Sequence, residues 1–523
     1  MSYREDSGVL DFYVNGRRLI GNGGNWGYPE VNLNYRAREY DIAVAYHADM
    51  HFTMIRNWVG MTGDDEFWEA CDRHGVMVWQ DFWLANPADG PEPADEAMFL
   101  ANAEDFLRKI RHHPCLALYC GRNEGNPPAS LDAGLAELVS RLHPGLHYIP
   151  HSADGPVSGG GPYRALPPAE YFALERGADR FHSERGMPNV PTVESLERML
   201  SPAHRWPQDA VWGMHDYCLE SAQSAATFNA MVAKAFGEPA SLEQFAAWAQ
   251  WIDYEGYRAI FESRSAQRKG IQLWMSHSCW PSMVWQTYDY YFAPTAAYFG
   301  AKKGSAPVRI QWNPVREQVE VVNNNAGDLR GLTVQVVVVT PDGTVLSGQT
   351  AALDAPEDTT TPVPVEIPGQ AGDDGGVIPD LTGDDGGVIP DAIGNLLLLR
   401  LRLIQDDREL ADNFYVLNPA DPGNLQTLRD MPSARVELRY DFRLEAGQWR
   451  TVAILENRSS VPALMLRLNL VGARDGEQIL PVFYEDNWIS LLPGECKELT
   501  VRCAASDTRG GRPALRLSGF NLR

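Results

Sequence analysis

Over residues 1–304 one pattern repeats: an apolar run, a polar or aromatic ending, a helical stretch, then the next apolar run. The runs read "RLIGNGGNW" (Arg18 to Trp26), "FTMIRNWVG" (Phe52 to Gly60), "VMVWQDFW" (Val76 to Trp83), "CLALYCGRNE" (Cys115 to Glu124), "HYIPHSA" (His147 to Ala153), "RFHSERG" (Arg180 to Gly186), "VWGMHDY" (Val211 to Tyr217) and "IQLWMSHSCWPS" (Ile271 to Ser282). Between them lie stretches with helical spacing, among them Arg36 to Asp49, "EFWEACDRHG" stopped by Gly75, Ala97 to His112, Val193 to Leu200 and Leu242 to Ser265. Continuous apolar runs suit strands covered on both faces, and strands alternating with helices suit a parallel sheet. Eight such units predict a (β/α)8 TIM barrel. The competing open, doubly wound sheet wants a phosphate loop after its first strand. "GNGGNWG" is rich in glycine, but it lacks the G-x-G-x-x-G frame and opens no clean helix.

After Gly304 the periodicity changes. "VEVVNNNAGDLRGLTVQVVVVTPDGTVLSG" alternates apolar and polar residues around a Pro-Asp-Gly turn, and "NLLLLRLRLI" and "ARVELRYDFRLEAGQWRTVAILENRS" continue in that style. Short strands with frequent turns predict two immunoglobulin-like β-sandwich domains. The expected division is a catalytic barrel over 1–304, a first sandwich over 305–420 and a second over 432–523, with a Pro-, Asp- and Gly-rich break between the last two. "GDDGGVIPD" occurs twice, at Gly372 to Asp380 and Gly383 to Asp391. Its acidic residues lack the regular ligand spacing of a calcium loop, so it reads as a duplicated surface loop.

Charge narrows the partners. The chain carries 45 Lys and Arg against 69 Asp and Glu, a formal net charge of −24, which repels nucleic acid. The seven cysteines form no C-x-x-C pair and read as free or buried thiols. "MSYREDSGVLDFYVNG" has no apolar signal region, and no run of 18 apolar residues follows, so neither export nor a membrane span is expected and the cytoplasm is the expected location. Oligomeric state is not legible.

In such a barrel the working residues sit at the C-terminal ends of the strands. Here those ends supply Asn25 and Trp26; Arg56 and Trp58; Asp81; Asn123 and Glu124; His182 and Glu184; His215; and Trp280. Two carboxylates stand out, Glu124 after the fourth run and Glu184 after the sixth. Cleavage of a glycosidic bond needs such a pair, one to protonate the leaving oxygen and one to attack or to activate water. Asn123, beside the acid, suits a sugar 2-hydroxyl. Arg56 with His182 or His215 suits a role in holding Glu184 ionised. Trp26, Trp58 and Trp280 offer flat faces for a pyranose, whereas Trp68, Trp248 and Trp251 read as helix packing. The histidines are scattered singly, so neither a metal nor another cofactor is expected.

"CLALYCGRNEGNPP" and "RFHSERGMPNVPTVESL" resemble the acid/base and nucleophile segments of glycoside hydrolase family 2, and "WPSMVWQTYDYYFAPTAAYFGAKKG" resembles the segment leaving the barrel in its β-mannosidases, endo-β-mannosidases and exo-β-glucosaminidases. The resemblance implies a retaining glycosidase working by double displacement, with Glu124 as acid/base, Glu184 as nucleophile, and Asn123, Arg56 and Trp280 in substrate binding. Glucosaminidases of this family tend to carry extra acidic groups near the second strand end and beside the acid. This chain has Trp58 and Asn123 there, and "NW" at Asn25–Trp26 and "VWQDF" at Val78–Phe82 are similar to the mannosidase-type members. The expected substrate is therefore a β-mannoside, with a glucosaminide or another β-hexoside as the alternative. A carbohydrate-binding relative without turnover is the other reading. Family members usually carry two sandwich domains ahead of the barrel; here the first barrel strand is read within the opening residues.

Overall fold

The computed structural model describes residues 1–4, 8–220, 224–267, 269–324, 326–368 and 396–522. Both copies of the GDDGGVIPD repeat lie outside the described residues. The chain forms two compact units. One comprises Met1–Leu166, Glu170–Phe228 and Glu255–Ala306; the other comprises Pro167–Ala169, Asn229–Tyr254 and Pro307–Arg523.

The first unit is built on eight strands: β1 (Gly23–Trp26), β2 (Met54–Asn57), β3 (Met77–Asp81), β4 (Leu116–Arg122), β5 (His147–His151), β6 (Val157–Ser158), β7 (Phe181–Arg185) and β8 (Ile271–Leu273). All pairings among them are parallel, in the order β5-β4-β3-β2-β1-β8-β7-β6. Because β5 and β6, the two ends of that order, are consecutive in the chain, this is the strand order of a (β/α)8 barrel with one seam. The helices α1 (Ala37–Asp49), α2 (Asp65–His74), α3 (Glu96–Ile110) and α4 (Ala129–Leu142) follow the first four strands in turn. Gly75 ends α2 in the left-handed region at φ 70, where a residue with a Cβ is strained.

Two features depart from the sequence expectation. "VWGMHDY" is not a strand: Asp209 accepts the Val211 backbone N–H at 2.9 Å and starts the short helix Ala210–Met214 there. The strand that completes the eight is instead β6, only two residues long. Glu184 therefore lies on the seventh strand of the barrel, not the sixth. In addition, Arg17–Leu19 separates from β1 and joins an antiparallel three-stranded sheet with Ser2–Arg4 and Asp11–Val14.

That small sheet packs against the strands. Leu10 and Phe12 join Met54, Trp79, Leu118, Cys120, Ile149, Val157 and Phe181 in one buried cluster, with the Phe12 ring edge-on to Phe181 at 5.5 Å. Burying a side chain such as Phe12 contributes about 1.5–3 kcal/mol. Trp79 is shared between this apolar cluster and the charged site, since its ring lies 5.3 Å from the Arg56 guanidinium.

The second unit contains antiparallel sheets. Val308–Asn313, Gln318–Asn323 and Thr359–Pro362 form one; Val345–Ala355, Leu329–Val339, Leu397–Gln405 and Arg408–Leu417 form another. Leu332, Val334, Val336 and Val338 alternate into a core with Leu399, Leu401 and Leu403, the period-two pattern of a sheet with one face buried. A second sandwich pairs a sheet built on Gln448–Asn457 and Cys496–Ala504 with one built on Ala463–Gly472 and Pro513–Ser518. No helix among the described residues is long and apolar enough to cross a membrane.

Candidate active site

Arg56, near the end of β2, is fully buried, which is costly for a cation unless opposite charges and acceptors surround it. They do. Nε and Nη2 donate to Asp81, the Nη2 bond at 2.7 Å; Nη1 donates to Glu184 Oε1 at 2.6 Å; and Nη2 also donates to Asn123 Oδ1 at 2.7 Å. One guanidinium thus ties together the ends of β2, β3, β4 and β7. A planar fork with five donors can do this, and a lysine cannot.

Asp81 is spent on structure. Besides Arg56 it accepts Trp79 Nε1 at 2.8 Å and the Val59 backbone N–H at 3.1 Å. Glu184 is buried, and burial pushes its carboxyl above the ordinary range. The neighbouring Glu124 charge adds to this, while Arg56 and the Tyr163 hydroxyl oppose it.

Glu124 stands two residues beyond β4, in the left-handed region at φ 46. A non-glycine residue there is uncommon and costs about 1–3 kcal/mol unless held. Its backbone N–H donates to Ser152 Oγ at 2.9 Å, and its carboxylate Oε2 accepts Asn86 Nδ2 at 3.0 Å. The chain then stays irregular through the two prolines, and α4 starts only at Ala129.

Tyr163 joins the two acids. Its hydroxyl lies 2.6 Å from Glu184 Oε2 and 3.3 Å from Glu124 Oε1. Those two distances keep the facing oxygens no more than about 6 Å apart, short of the wider spacing of most inverting pairs. A hydroxyl has one proton, and the shorter contact, to Glu184 Oε2, is the better placed to take it. Tyr163→Phe removes a hydrogen bond to a charged group worth about 1.5–3 kcal/mol, so kcat/KM is expected to fall roughly 10- to 100-fold in initial-rate measurements.

Asn123 has a settled orientation. Its carbonyl accepts from Arg56 and from Ser152 Oγ at 3.2 Å, which leaves its N–H pair to offer a ligand. Aromatic rings continue from Tyr163: Trp274 and Trp285 lie 6.3 and 6.0 Å from it, and Trp58 meets Trp274 edge-on at 4.9 Å. The Trp58 Nε1 is buried without a partner.

The structure thus brings together Glu124, Glu184, Asn123, Arg56 and Asp81, with Trp58 linked through the ring chain. The other candidates are engaged elsewhere. Asn25 spends its amide on the Ser183 and Leu273 carbonyls. Trp26 is fully buried and stacked on His277 at 4.2 Å. His182 faces Ser158 Oγ and the Gly161 carbonyl rather than Glu184, and burial with two nearby arginines drives its pKa down to about 3. His215 bonds the Pro281 carbonyl. Trp280 is 37% exposed, with its side chain hydrogen-bonded to Asp216. Sequence reasoning missed Tyr163, Ser152 and Asn86. The last two follow strands by a few residues and were within its reach; Tyr163 comes from an irregular loop that carries no periodic signal. Among the described residues no three His, Cys, Asp or Glu side chains gather as a metal site.

Residues 413–522 match the family described as the exo-β-D-glucosaminidase Ig-fold domain. The chain is similar to an exo-β-D-glucosaminidase of Streptomyces avermitilis, 28% identical over 575 aligned positions that cover 98% of this chain and 60% of that one. It is also similar to a mannosylglycoprotein endo-β-mannosidase of Lilium longiflorum, 28% identical over 401 positions covering 65% of this chain and 42% of that one. An exo-chitosanase structure from Amycolatopsis orientalis has the same fold, with a TM-score of 0.87 at 23% identity over 100% of this chain and 65% of that one. The chain therefore spans 60% and 42% of the lengths of these two curated relatives. Together with the barrel and its sandwiches, these likenesses support a member of glycoside hydrolase family 2, similar to its exo-β-glucosaminidases, β-mannosidases and endo-β-mannosidases.

Proposed function

We propose that this chain is an O-glycosyl hydrolase that cleaves β-linked hexosides with retention, Glu184 attacking the anomeric carbon and Glu124 serving as acid and then base. The observation that carries this reading is the Tyr163 hydroxyl, within hydrogen-bond reach of both carboxyls, which keeps their facing oxygens no more than about 6 Å apart, short of the wider spacing of most inverting pairs. In the first step Glu124 gives its proton to the leaving oxygen while Glu184 forms a glycosyl ester. In the second step Glu124 takes a proton from water, which attacks the same carbon and releases the sugar with its original configuration. Arg56 keeps Glu184 charged against the cost of burial, and Asn123 presents donors to the 2-substituent.

The substrate we propose is a β-mannoside. Asn123 offers only N–H donors, which suit a hydroxyl oxygen and repel an ammonium, and Asp81 has no oxygen left for a sugar amine. An ammonium taken from water without a carboxylate is bound poorly. The second reading, an exo-β-glucosaminidase, is favoured by the name of the Streptomyces avermitilis relative and of the matching Ig-fold family. A panel of 4-nitrophenyl β-glycosides, with the first product anomer followed by NMR, separates them. The expected result is a higher kcat/KM on the β-mannoside than on the β-glucosaminide, with the β-anomer released first. The reverse ranking assigns the site to the amino sugar, and an inverted first product rules out the double displacement. Sugar binding without turnover on any member makes the chain a binding module.

A further inference from the structure

We propose that Ser152 is a positioning residue that sets both the acid/base Glu124 and the 2-substituent reader Asn123, and that it closes a ring of hydrogen bonds around the reaction centre. This rests on the reading of Glu124 as the acid/base. Ser152 follows β5 directly and is fully buried. Its backbone N–H donates to the Arg122 carbonyl at 3.2 Å, stitching the end of β5 to the end of β4. Its hydroxyl does two things at once. It accepts the Glu124 backbone N–H at 2.9 Å and donates to Asn123 Oδ1 at 3.2 Å.

The first contact bears on a strained backbone. Glu124 at φ 46 needs a reason to stay there, and an acceptor for its N–H supplies one. The second contact occupies the remaining lone pair of an amide already bonded to Arg56, so the amide cannot turn over without losing two bonds. Followed onward, the bonds run Glu124–Tyr163–Glu184–Arg56–Asn123–Ser152 and back to Glu124. Five of these residues carry charge, handle protons or face the ligand. The Ser152 hydroxyl bonds only to other members of the ring, so its effect passes through them.

Ser152→Ala deletes one oxygen and tests this. If Ser152 aims the acid, the variant behaves as a partial acid/base defect. 2,4-Dinitrophenyl β-glycosides, which need no protonation of the leaving oxygen, are expected to lose in kcat/KM only the part that comes through Asn123, whereas phenyl β-glycosides, which do need it, are expected to lose at least about tenfold more. Ser152→Cys fills the same space but hydrogen-bonds weakly, and is expected to show the same leaving-group split should the alanine variant not fold. Equal losses on both leaving groups, or no loss, overturn the proposal. A crystal structure of whichever variant folds gives an answer that needs no turnover. Residue 124 leaving the left-handed region, or the Asn123 amide turning over, supports the proposal, and an unchanged pair overturns it. Should the wild type cleave no glycoside, the glycosidase reading falls while this structural arm still decides the role of Ser152 in placing residues 123 and 124.

Discussion

Glu184→Ala is expected to lower turnover of whichever aryl β-hexoside the wild type cleaves by on the order of 10^5-fold, equivalent to about 7 kcal/mol of transition-state stabilisation. Loss of the nucleophile removes the covalent route altogether, so the fall extends to substrates with activated leaving groups. The protein is expected to remain folded, because Arg56 keeps its bonds to Asp81 and Asn123. Azide supplied to the variant enters the vacated space and attacks from the face Glu184 used. NMR of the product is therefore expected to show a glycosyl azide of inverted configuration. A variant with more than a hundredth of wild-type kcat would assign the nucleophile elsewhere. Stability moves the other way with pH. A carboxyl whose pKa is raised on folding contributes stability that is fully present below the ordinary carboxylate range and lost as pH climbs through the raised value. As pH rises above the ordinary carboxylate range, the unfolding free energy of Glu184→Ala is thus expected to gain on that of the wild type, as measured by denaturant titration.

The strand-end carboxylates were legible because two independent regularities coincide on them. Apolar runs mark barrel strands, and polar residues that break off such a run have only the rim to go to. Glu124 and Glu184 satisfy both. The strand count misled by one at each of two places, for physical reasons. Val157–Ser158 is too short to show any period, and "VWGMHDY" reads as apolar alternation although Asp209 caps it as a helix. The two errors offset each other in the total and shifted Glu184 from seventh to sixth.

Side-chain allegiance was less legible than position. His182, Asn25 and Trp26 lie on the right strands, but a strand alternates its side chains, and sequence does not say which neighbour a ring or amide meets. His182 goes to Ser158 and Gly161, Asn25 to two backbone carbonyls, and Trp26 to His277. Tyr163 shows the opposite limit. It contacts both glutamates, yet it sits in a loop between β6 and β7 where glycines and prolines erase periodicity. A barrel offers strong signals for what its strands carry and weak ones for what its loops bring back over the rim.

Arg56→Met is expected to damage the fold and the chemistry together, and the two effects can be separated. The guanidinium is the only cation bonded to two buried carboxylates, Asp81 and Glu184, among the contacts described for either. Removing it leaves both uncompensated, at a cost of about 3–5 kcal/mol in unfolding free energy. It also removes one of the two influences that hold the Glu184 pKa down. In the proposed mechanism an ionised Glu184 is the attacking form, so the acid limb of the kcat/KM profile is expected to move to higher pH, with a fall at neutral pH of about 10^3-fold. Arg56→Lys keeps the charge but cannot reach Asp81, Asn123 and Glu184 in one geometry, so it is expected to recover stability more than activity. The decisive comparison adds Asp81→Asn to Arg56→Met. With one anion neutralised along with the cation, most of the lost stability returns. Turnover does not, because Glu184 and Asn123 still lack the group that holds them in register.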